Sequence, residues 1–472
     1  MSEKTRRMPR LRIPALAGLW YTVGSVIERG SAIIFTPIYT RLLLPEEYGI
    51  YSLYTGFMGI LSVFATLEIS GTAVYRGLGE FKDKDRFLSS SVGLMLTASI
   101  LSLLLYLLFS PLVNSFTELS TGLTVILFLQ VFLNGVRSLR LSSARFSYDK
   151  RLPLSDALFF SLSTPILSVS LIFLLEKVEY ARIYALFSAS LVFTLPILIS
   201  LFKRGKFRLY DKDCWRFILK YTVPTLPHYL AMALIWQIGK ITVANAFSSA
   251  ETALFSLAIS IALIPTILSS GILSALLPWV SRRLGDGKRG REKIYSLIST
   301  LFLPFCLLTA LFLLLSPELI RIFASDSYEG ALGAIYPVCA ALPLSLLGSL
   351  FTGEISYYKK TYLVTLGSVL GAVFSLFFNL LFTFRLGFVF SAYIIPLSFL
   401  IIAAVYSIIL KRRFMHKELP FFTLIKDFFL FLLLVGSAAF LRDIFISRLL
   451  LGVSVTMLLI PRIKTAVSLC SE

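Results

Sequence analysis

The sequence predicts an all-α polytopic membrane protein with about 14 transmembrane helices. Three observations predict it. Of the 472 residues, 57% are hydrophobic, against ~45–50% in soluble domains. Only 15% are charged, against ~25% in a soluble average. Apolar runs of ~20 residues, the length that crosses a hydrocarbon core, recur along the whole chain, and the mean hydropathy is +0.83. This composition excludes an ordinary soluble enzyme, a disordered chain and a disulfide scaffold. The net charge of +19 would suggest nucleic acid in a soluble protein. Here the basic residues sit between apolar runs, so no nucleic-acid partner is expected and the charge reads as membrane orientation.

The candidate spans run roughly over 14–38, 48–74, 87–110, 119–142, 152–175, 183–202, 216–245, 253–280, 294–315, 331–353, 361–383, 387–410, 421–440 and 449–461, the last being short. Backbone in lipid must satisfy its own hydrogen bonds, and runs this long and Leu/Phe-rich do so as helices. The alternation of a barrel strand is absent. With the N-terminus in the cytoplasm, 35 of the 45 Lys and Arg fall on the inner side and seven on the outer, with Arg29, Lys240 and Lys426 inside spans. That asymmetry places both termini in the cytoplasm. The basic start Met1–Arg12 is not read as a cleaved signal, because the first span contains Glu28-Arg29 and no small-residue cleavage site ends it. Cys214, Cys306, Cys339 and Cys470 lack metal or redox spacing and read as inert thiols. No cofactor is expected. No outer loop is long enough for a soluble catalytic domain.

A weak repeat is visible at an offset near 205. Glu47-Tyr48-Gly49-Ile50-Tyr51-Ser52-Leu53 corresponds to Glu251-Thr252-Ala253-Leu254-Phe255-Ser256-Leu257, and Ser147–Arg151 to Ser356–Lys360. Each half then holds six helices in the same orientation, a parallel repeat. The expected organisation is a six-helix lobe over 1–205, a second over 206–412, and two peripheral helices over 413–472. Two such lobes suit alternating access. The seventh segment is interrupted by Pro224 and Pro227, which remove two backbone donors and kink the helix.

Three segments resemble the polysaccharide (oligosaccharidyl-lipid) flippases of the superfamily that also contains multidrug extrusion transporters and the lipid II flippase. They are Pro37–Leu53 with its Tyr48-Gly49-Ile50-Tyr51, then Pro224-Thr225-Leu226-Pro227-His228 with Thr252–Leu257, and Lys359-Lys360-Thr361 through Asn379 to Leu386-Gly387-Phe388. The likeness runs from about residue 14 to 412 and is spread rather than concentrated. It implies two six-helix bundles, with two further helices in many members. It also implies a cargo of undecaprenyl-pyrophosphate-linked oligosaccharide. One departure stands out: the family often carries an Asp before a basic residue in the seventh helix, where this chain has Gly239 before Lys240.

Charges inside spans are costly, ~2.5–3.5 kcal/mol for a mid-bilayer cation, so they are candidate sites. Arg29 and Lys240 are expected deep in the first and seventh segments, as a cationic site for a pyrophosphate whose oxygens suit a guanidinium. The alternative for Arg29 is a structural ion pair; Glu28 is a poor partner, because neighbouring helical residues do not face each other. Arg137 and Arg140, with Arg145, sit at the inner end of the fourth segment. They either receive the pyrophosphate or snorkel to fix topology. Arg41 lies at the outer mouth, as a release or anchoring residue. Glu68, Asp156 and His228 are candidates for ion coupling, by proton or sodium; for the two acids the competing reading is a salt bridge to Arg76, Arg137 or Arg140, and for His228 a satisfied polar residue beside the kink. Asn379 is expected to bond between helices.

The function that follows is a non-enzymatic flippase. It moves a lipid-linked oligosaccharide from the inner to the outer leaflet for surface polysaccharide synthesis. Its partners are the cargo and membrane lipids, with possible association to a polymerase or glycosyltransferases. No Walker motif points to ATP. The competing readings are a drug/cation antiporter, which needs an acidic cavity, and a membrane polymerase or glycosyltransferase, which usually carries a long outer loop.

Overall fold

The computed structural model describes residues 9–471 apart from 118, 263, 415 and 417, with some further side chains, Arg29 and Cys470 among them, outside the described set. Among the described residues the chain is helical throughout and contains no strand. It divides into two compact units, Met1–Ala233 and Leu234–Glu472.

The first unit holds α1 (Pro9–Leu42), α2 (Pro45–Thr66), α3 (Ile69–Thr72), α4 (Val74–Glu80), α5 (Lys84–Leu108), α6 (Ser110–Thr117), α7 (Thr121–Phe146), α8 (Arg151–Leu174), α9 (Ala181–Arg204), α10 (Lys212–Thr222) and the start of α11 (Leu226–Ala246). The second holds the rest of α11, then α12 (Ser249–Ala262), α13 (Thr266–Arg283), α14 (Gly287–Leu314), α15 (Ser316–Phe323), α16 (Leu332–Tyr357), α17 (Thr361–Phe378), α18 (Phe384–Leu386), α19 (Phe388–Arg413), α20 (Phe421–Phe440) and α21 (Phe445–Ser471).

Short polar residues start several helices by accepting from the first free N–H groups. Asp83 accepts from Arg86 at 2.9 Å and Ser120 from Leu123 at 3.3 Å. Asp211 accepts from Asp213 and Cys214 at 3.1 Å each and pairs with Arg86, which ties the loop before α10 to α5. Burial alone would raise the Asp211 carboxyl, but the Cys214 N–H and the Arg86 guanidinium hold it below its ordinary range. Leu101, Leu105, Phe173, Leu174, Phe422 and Phe440 are exposed, as a surface solvated by hydrocarbon requires.

Eleven described helical segments are long and apolar enough to cross a membrane. The three expected segments missing from that set are 14–38, 216–245 and 253–280. The second is split by a 3-10 turn at Val223–Thr225, where Pro224 removes a donor. The third is divided into α12 and α13 around Pro265, leaving α12 with 14 residues. Prolines stand inside α8, α9, α14, α16 and α19 without breaking them, as is common in spans. In the second unit, α20 and α21 both pack on α14 through Leu303, Leu307, Leu430, Leu434, Val455 and Leu459.

Asn379 departs from expectation. Its amide donates to the Ser375 carbonyl at 2.8 Å, within its own helix. The cause is local: a side chain four residues on can reach back to a helical carbonyl, and Ser375 stands one turn before Asn379, at the start of a π-helical turn over Asn379–Thr383. The link to α19 is made by Thr383, whose hydroxyl meets that of Ser391 at 2.8 Å.

Candidate functional site

In the first unit α7 carries Arg137, α8 carries Asp156 and α1 carries Glu28. Arg137 donates to both Asp156 oxygens, at 2.6 and 2.7 Å, and to Glu28 at 3.0 Å. Its guanidinium carbon lies 3.7 Å from the centroid of the Phe160 ring. The Asp156 side chain is 3% exposed and that of Arg137 is 16% exposed. A two-pronged pair in so little water is strong and geometrically specific. It joins three helices whose residues lie 19 and 109 positions apart, so the substrate candidate Arg137 and the coupling candidate Asp156 neutralise each other. Arg140, one turn on, is half-buried and has no ion-pair partner among the described residues. Arg41 is exposed at the end of α1 and donates to the Pro37 carbonyl at 3.2 Å. Arg29 lies in α1, and its side chain is outside the described residues.

Glu68 stands at a break. α2 ends at Thr66, and Leu67 and Glu68 follow with φ of 51° and 47°. Left-handed backbone at a non-glycine residue costs roughly 1–2 kcal/mol. The break is held by Thr66, whose hydroxyl accepts the Glu68 N–H at 3.3 Å, and by Thr72, whose hydroxyl donates to the Glu68 carbonyl at 2.8 Å. The carboxylate has no hydrogen-bond or ion-pair partner among the described residues. It flanks Gly71: a methyl built there would meet the Tyr229 hydroxyl at 3.3 Å and a Glu68 oxygen at 3.9 Å. His228 follows Pro227 and lies edge-on to Tyr229, with ring centroids 5.5 Å apart. Its Nδ1 is buried without a partner. The turn at Pro224 and the break at Leu67-Glu68 thus bring Glu68, Tyr229 and His228 to one place in the first unit.

In the second unit Lys240 is half-buried on α11 with no ion-pair or hydrogen-bond partner among the described residues. Beside it, Gly239 is tightly enclosed. A Cβ there would come 2.7 Å from the Phe255 ring and 3.5 Å from Ser391, and Phe255 is 0% exposed. The aspartate expected by resemblance therefore has no room here.

Sequence reasoning missed one cluster altogether. Tyr295 of α14 donates to Glu354 of α16 at 2.8 Å and meets His416 Nδ1 at 2.8 Å, and Tyr358 meets His416 Nε2 at 3.1 Å. The Glu354 and His416 side chains are each 1% exposed and 2.9 Å apart. The available signal was that His416 is one of only two histidines. Among the described residues no group of acids, His and Cys is arranged to hold a metal ion, and Cys214, Cys306 and Cys339 are buried free thiols.

A family profile described as "Polysaccharide biosynthesis protein" matches residues 17–284, more than half of the chain. The chain belongs to that family. The matched region of this polysaccharide biosynthesis family member contains the Arg137 pair, the Glu68 break, His228 and Lys240, and excludes the Glu354–His416 cluster. No curated protein sequence gives a significant match. Among solved structures, the chain resembles "Lipid II flippase MurJ, inward closed conformation", at 14% identity and a TM-score of 0.72, over 93% of this chain and 98% of that one. It also resembles an inward-facing multidrug resistance MATE family transporter of the MOP superfamily, at 17% identity and a TM-score of 0.66, over 86% and 98% of the two chains. A third is a MOP superfamily transporter from Pyrococcus furiosus, at 15% identity and a TM-score of 0.59, over 90% and 96%. At these identities the likeness is one of fold.

Proposed function

We propose that this family member is a flippase for a lipid-linked oligosaccharide. It carries the glycan on its polyprenyl pyrophosphate from the inner to the outer leaflet of the cytoplasmic membrane by alternating access. The observation that carries this reading is a polysaccharide-biosynthesis family match on a chain with eleven described helical segments long and apolar enough to cross a membrane. Lys240 and Arg29 engage the pyrophosphate during transport, Arg140 draws it in at the cytoplasmic end, and Arg41 serves its release outside. Arg137 and Asp156 brace α7, α8 and α1 as an ion pair. Glu68, with Tyr229 and His228 beside it, is the coupling acid: a carboxylate in apolar surroundings takes up a proton readily. The topology we adopt is fourteen spans in two parallel six-helix repeats plus two C-terminal helices, with both termini in the cytoplasm.

The test is flipping of a fluorescent undecaprenyl-pyrophosphate oligosaccharide in proteoliposomes. Wild-type protein moves it, and Lys240→Gln slows it. No movement by folded wild-type protein overturns the reading. The unpaired Glu68 carboxylate favours one second reading, a cation antiporter, which ethidium efflux from loaded vesicles would reveal.

A further inference from the structure

The N-terminal unit contains a guanidinium caged by tyrosines. Arg182 is the second residue of α9. Its guanidinium carbon lies 3.7 Å from the ring centroid of Tyr51, 4.1 Å from that of Tyr39 and 4.6 Å from that of Tyr48. Tyr39 comes from α1 and the other two from adjacent turns of α2. No carboxylate pairs with Arg182 among the described residues. The Tyr48 hydroxyl hydrogen-bonds the guanidinium, but ring faces attract a cation without accepting from its N–H groups. One terminal nitrogen of Arg182 is still buried without an acceptor. A buried charged donor left unpaired is costly, and such a group calls for a partner. The Tyr54 hydroxyl, one further turn along α2, is also buried and unpartnered. Tyr54, Tyr51 and Ile183 belong to one packed cluster.

That cluster continues into an apolar cavity. The cavity has a volume of about 560 Å³ and lies among α2, α5, α6 and α7, lined by Phe57, Leu61, Leu105, Tyr106, Leu119 and Phe128. Phe57, Leu61 and Leu119 also pack in the cluster that holds Tyr54. Along α2 the residues Tyr51, Tyr54, Phe57, Leu61 and Phe64 recur every three or four positions, so they form one continuous stripe. Tyr51 and Phe57 are six residues apart, ~9 Å of helix. The stripe leads from a cation lacking a paired anion to a largely apolar space.

We propose that Arg182 with Tyr51 and Tyr54 binds the phosphate of a polyprenyl phosphate whose chain enters the cavity lined by Phe57, Leu61 and Phe128. A phosphate offers oxygens in the guanidinium plane and to both tyrosyl hydroxyls. The apolar walls exclude the sugar, so the ligand is the carrier lipid rather than the glycan. The choice of polyprenyl over other lipid phosphates rests on the flippase reading; the site itself does not.

The test uses full-length protein in neutral phosphatidylcholine nanodiscs, with retained lipid counted by native mass spectrometry. One arm adds undecaprenyl phosphate, a second adds phosphatidylglycerol at the same fraction, and a third adds soluble inorganic pyrophosphate. Wild-type protein retains undecaprenyl phosphate, and Arg182→Gln lowers its affinity about tenfold or more. Arg182→Lys recovers part of it, because one point charge replaces a planar fork. Ser102→Trp, which fills the cavity from α5 and leaves the cage intact, lowers retention as well and serves if the cage variants fail to fold. Equal retention by wild type and Arg182→Gln overturns the proposal, as does equal retention of phosphatidylglycerol, or displacement of the lipid by pyrophosphate with no loss in Ser102→Trp. Retention is read without transport, so a protein that binds the carrier but does not flip its cargo sinks the flippase reading alone.

Discussion

Asp156→Leu tests whether Arg137 serves the fold or the cargo. The Asp156 side chain is 3% exposed and that of Arg137 16% exposed, so removing the acid strands a charge with little water around it. Breaking a buried pair from one side costs ~3–5 kcal/mol. Two contacts reduce that cost here. Glu28 remains 3.0 Å from Arg137 but is half exposed, so its attraction is screened. The Phe160 ring remains 3.7 Å away, worth ~0.5–2 kcal/mol. The expected loss is about 3 kcal/mol. Arg137→Met alone strands Asp156 and costs about the same. The double variant Arg137→Met/Asp156→Leu replaces the pair by apolar groups and recovers most of the loss, which leaves a coupling of about 3 kcal/mol or more. The assay is unfolding in detergent, followed by tryptophan fluorescence, for the four proteins of the cycle, with flipping measured on each. Additive losses would refute the reasoning. So would a double variant that is stable but inactive, which would return Arg137 to the substrate path.

Three other outcomes follow from the same geometry. Glu68→Gln keeps the shape of the break and loses no partner, so stability should change by less than about 1 kcal/mol, while flipping should stop responding to an imposed pH gradient; a retained response removes Glu68 from coupling. Gly239→Asp forces a side chain against Phe255 and should destabilise by ~1–3 kcal/mol, read as a lowered unfolding midpoint in detergent. The third concerns α21. Arg448 donates to both Glu318 oxygens at 2.6 Å and to the Leu314 carbonyl at 2.6 Å, and its side chain is 6% exposed. The hydrogen bond from Arg448 holds the Glu318 carboxyl below its ordinary value of 4.5. A depressed folded value means the stabilisation is complete above the unfolded value and is lost as pH falls through the folded one. Stability attributable to this pair should therefore be flat from neutral pH down to 4.5 and decline below it. Glu318→Gln should cost about 2–3 kcal/mol at neutral pH and abolish that acid limb.

What could be read in the chain was what depends on local runs of residues. Apolar length marks where helices lie, because a backbone in lipid has few alternatives. Pro224 and Pro227 announce the interruption before α11, since a missing donor acts wherever it stands. The break at Leu67-Glu68 was not legible. Neither residue favours left-handed backbone, and the hydroxyls of Thr66 and Thr72 hold it only once the surrounding helices are packed. Pairings across distant segments were also hidden. Asp156 had several basic residues within reach, and only the packing of α7 on α8 selects Arg137. Nothing in the segment around Arg182 marks it, because Tyr39, Tyr48 and Tyr51 meet it only in the fold. Their positions were visible in the segment carrying the family resemblance, but not the guanidinium that they surround. Glu354 and His416 lie 62 positions apart, and a loop residue met by two tyrosines leaves no periodic trace.

The most direct test of the account is the flipping rate of a fluorescent polyprenyl-pyrophosphate oligosaccharide in proteoliposomes, compared between wild type and Lys240→Gln. Lys240 is half-buried without a partner among the described residues, so the substitution breaks nothing structural. Loss of a charged hydrogen bond to the pyrophosphate, ~1.5–3 kcal/mol, predicts a rate lower by about tenfold or more in a protein that folds normally. A folded wild-type protein that moves no cargo, or a Lys240→Gln variant that moves it at the wild-type rate, would contradict the account.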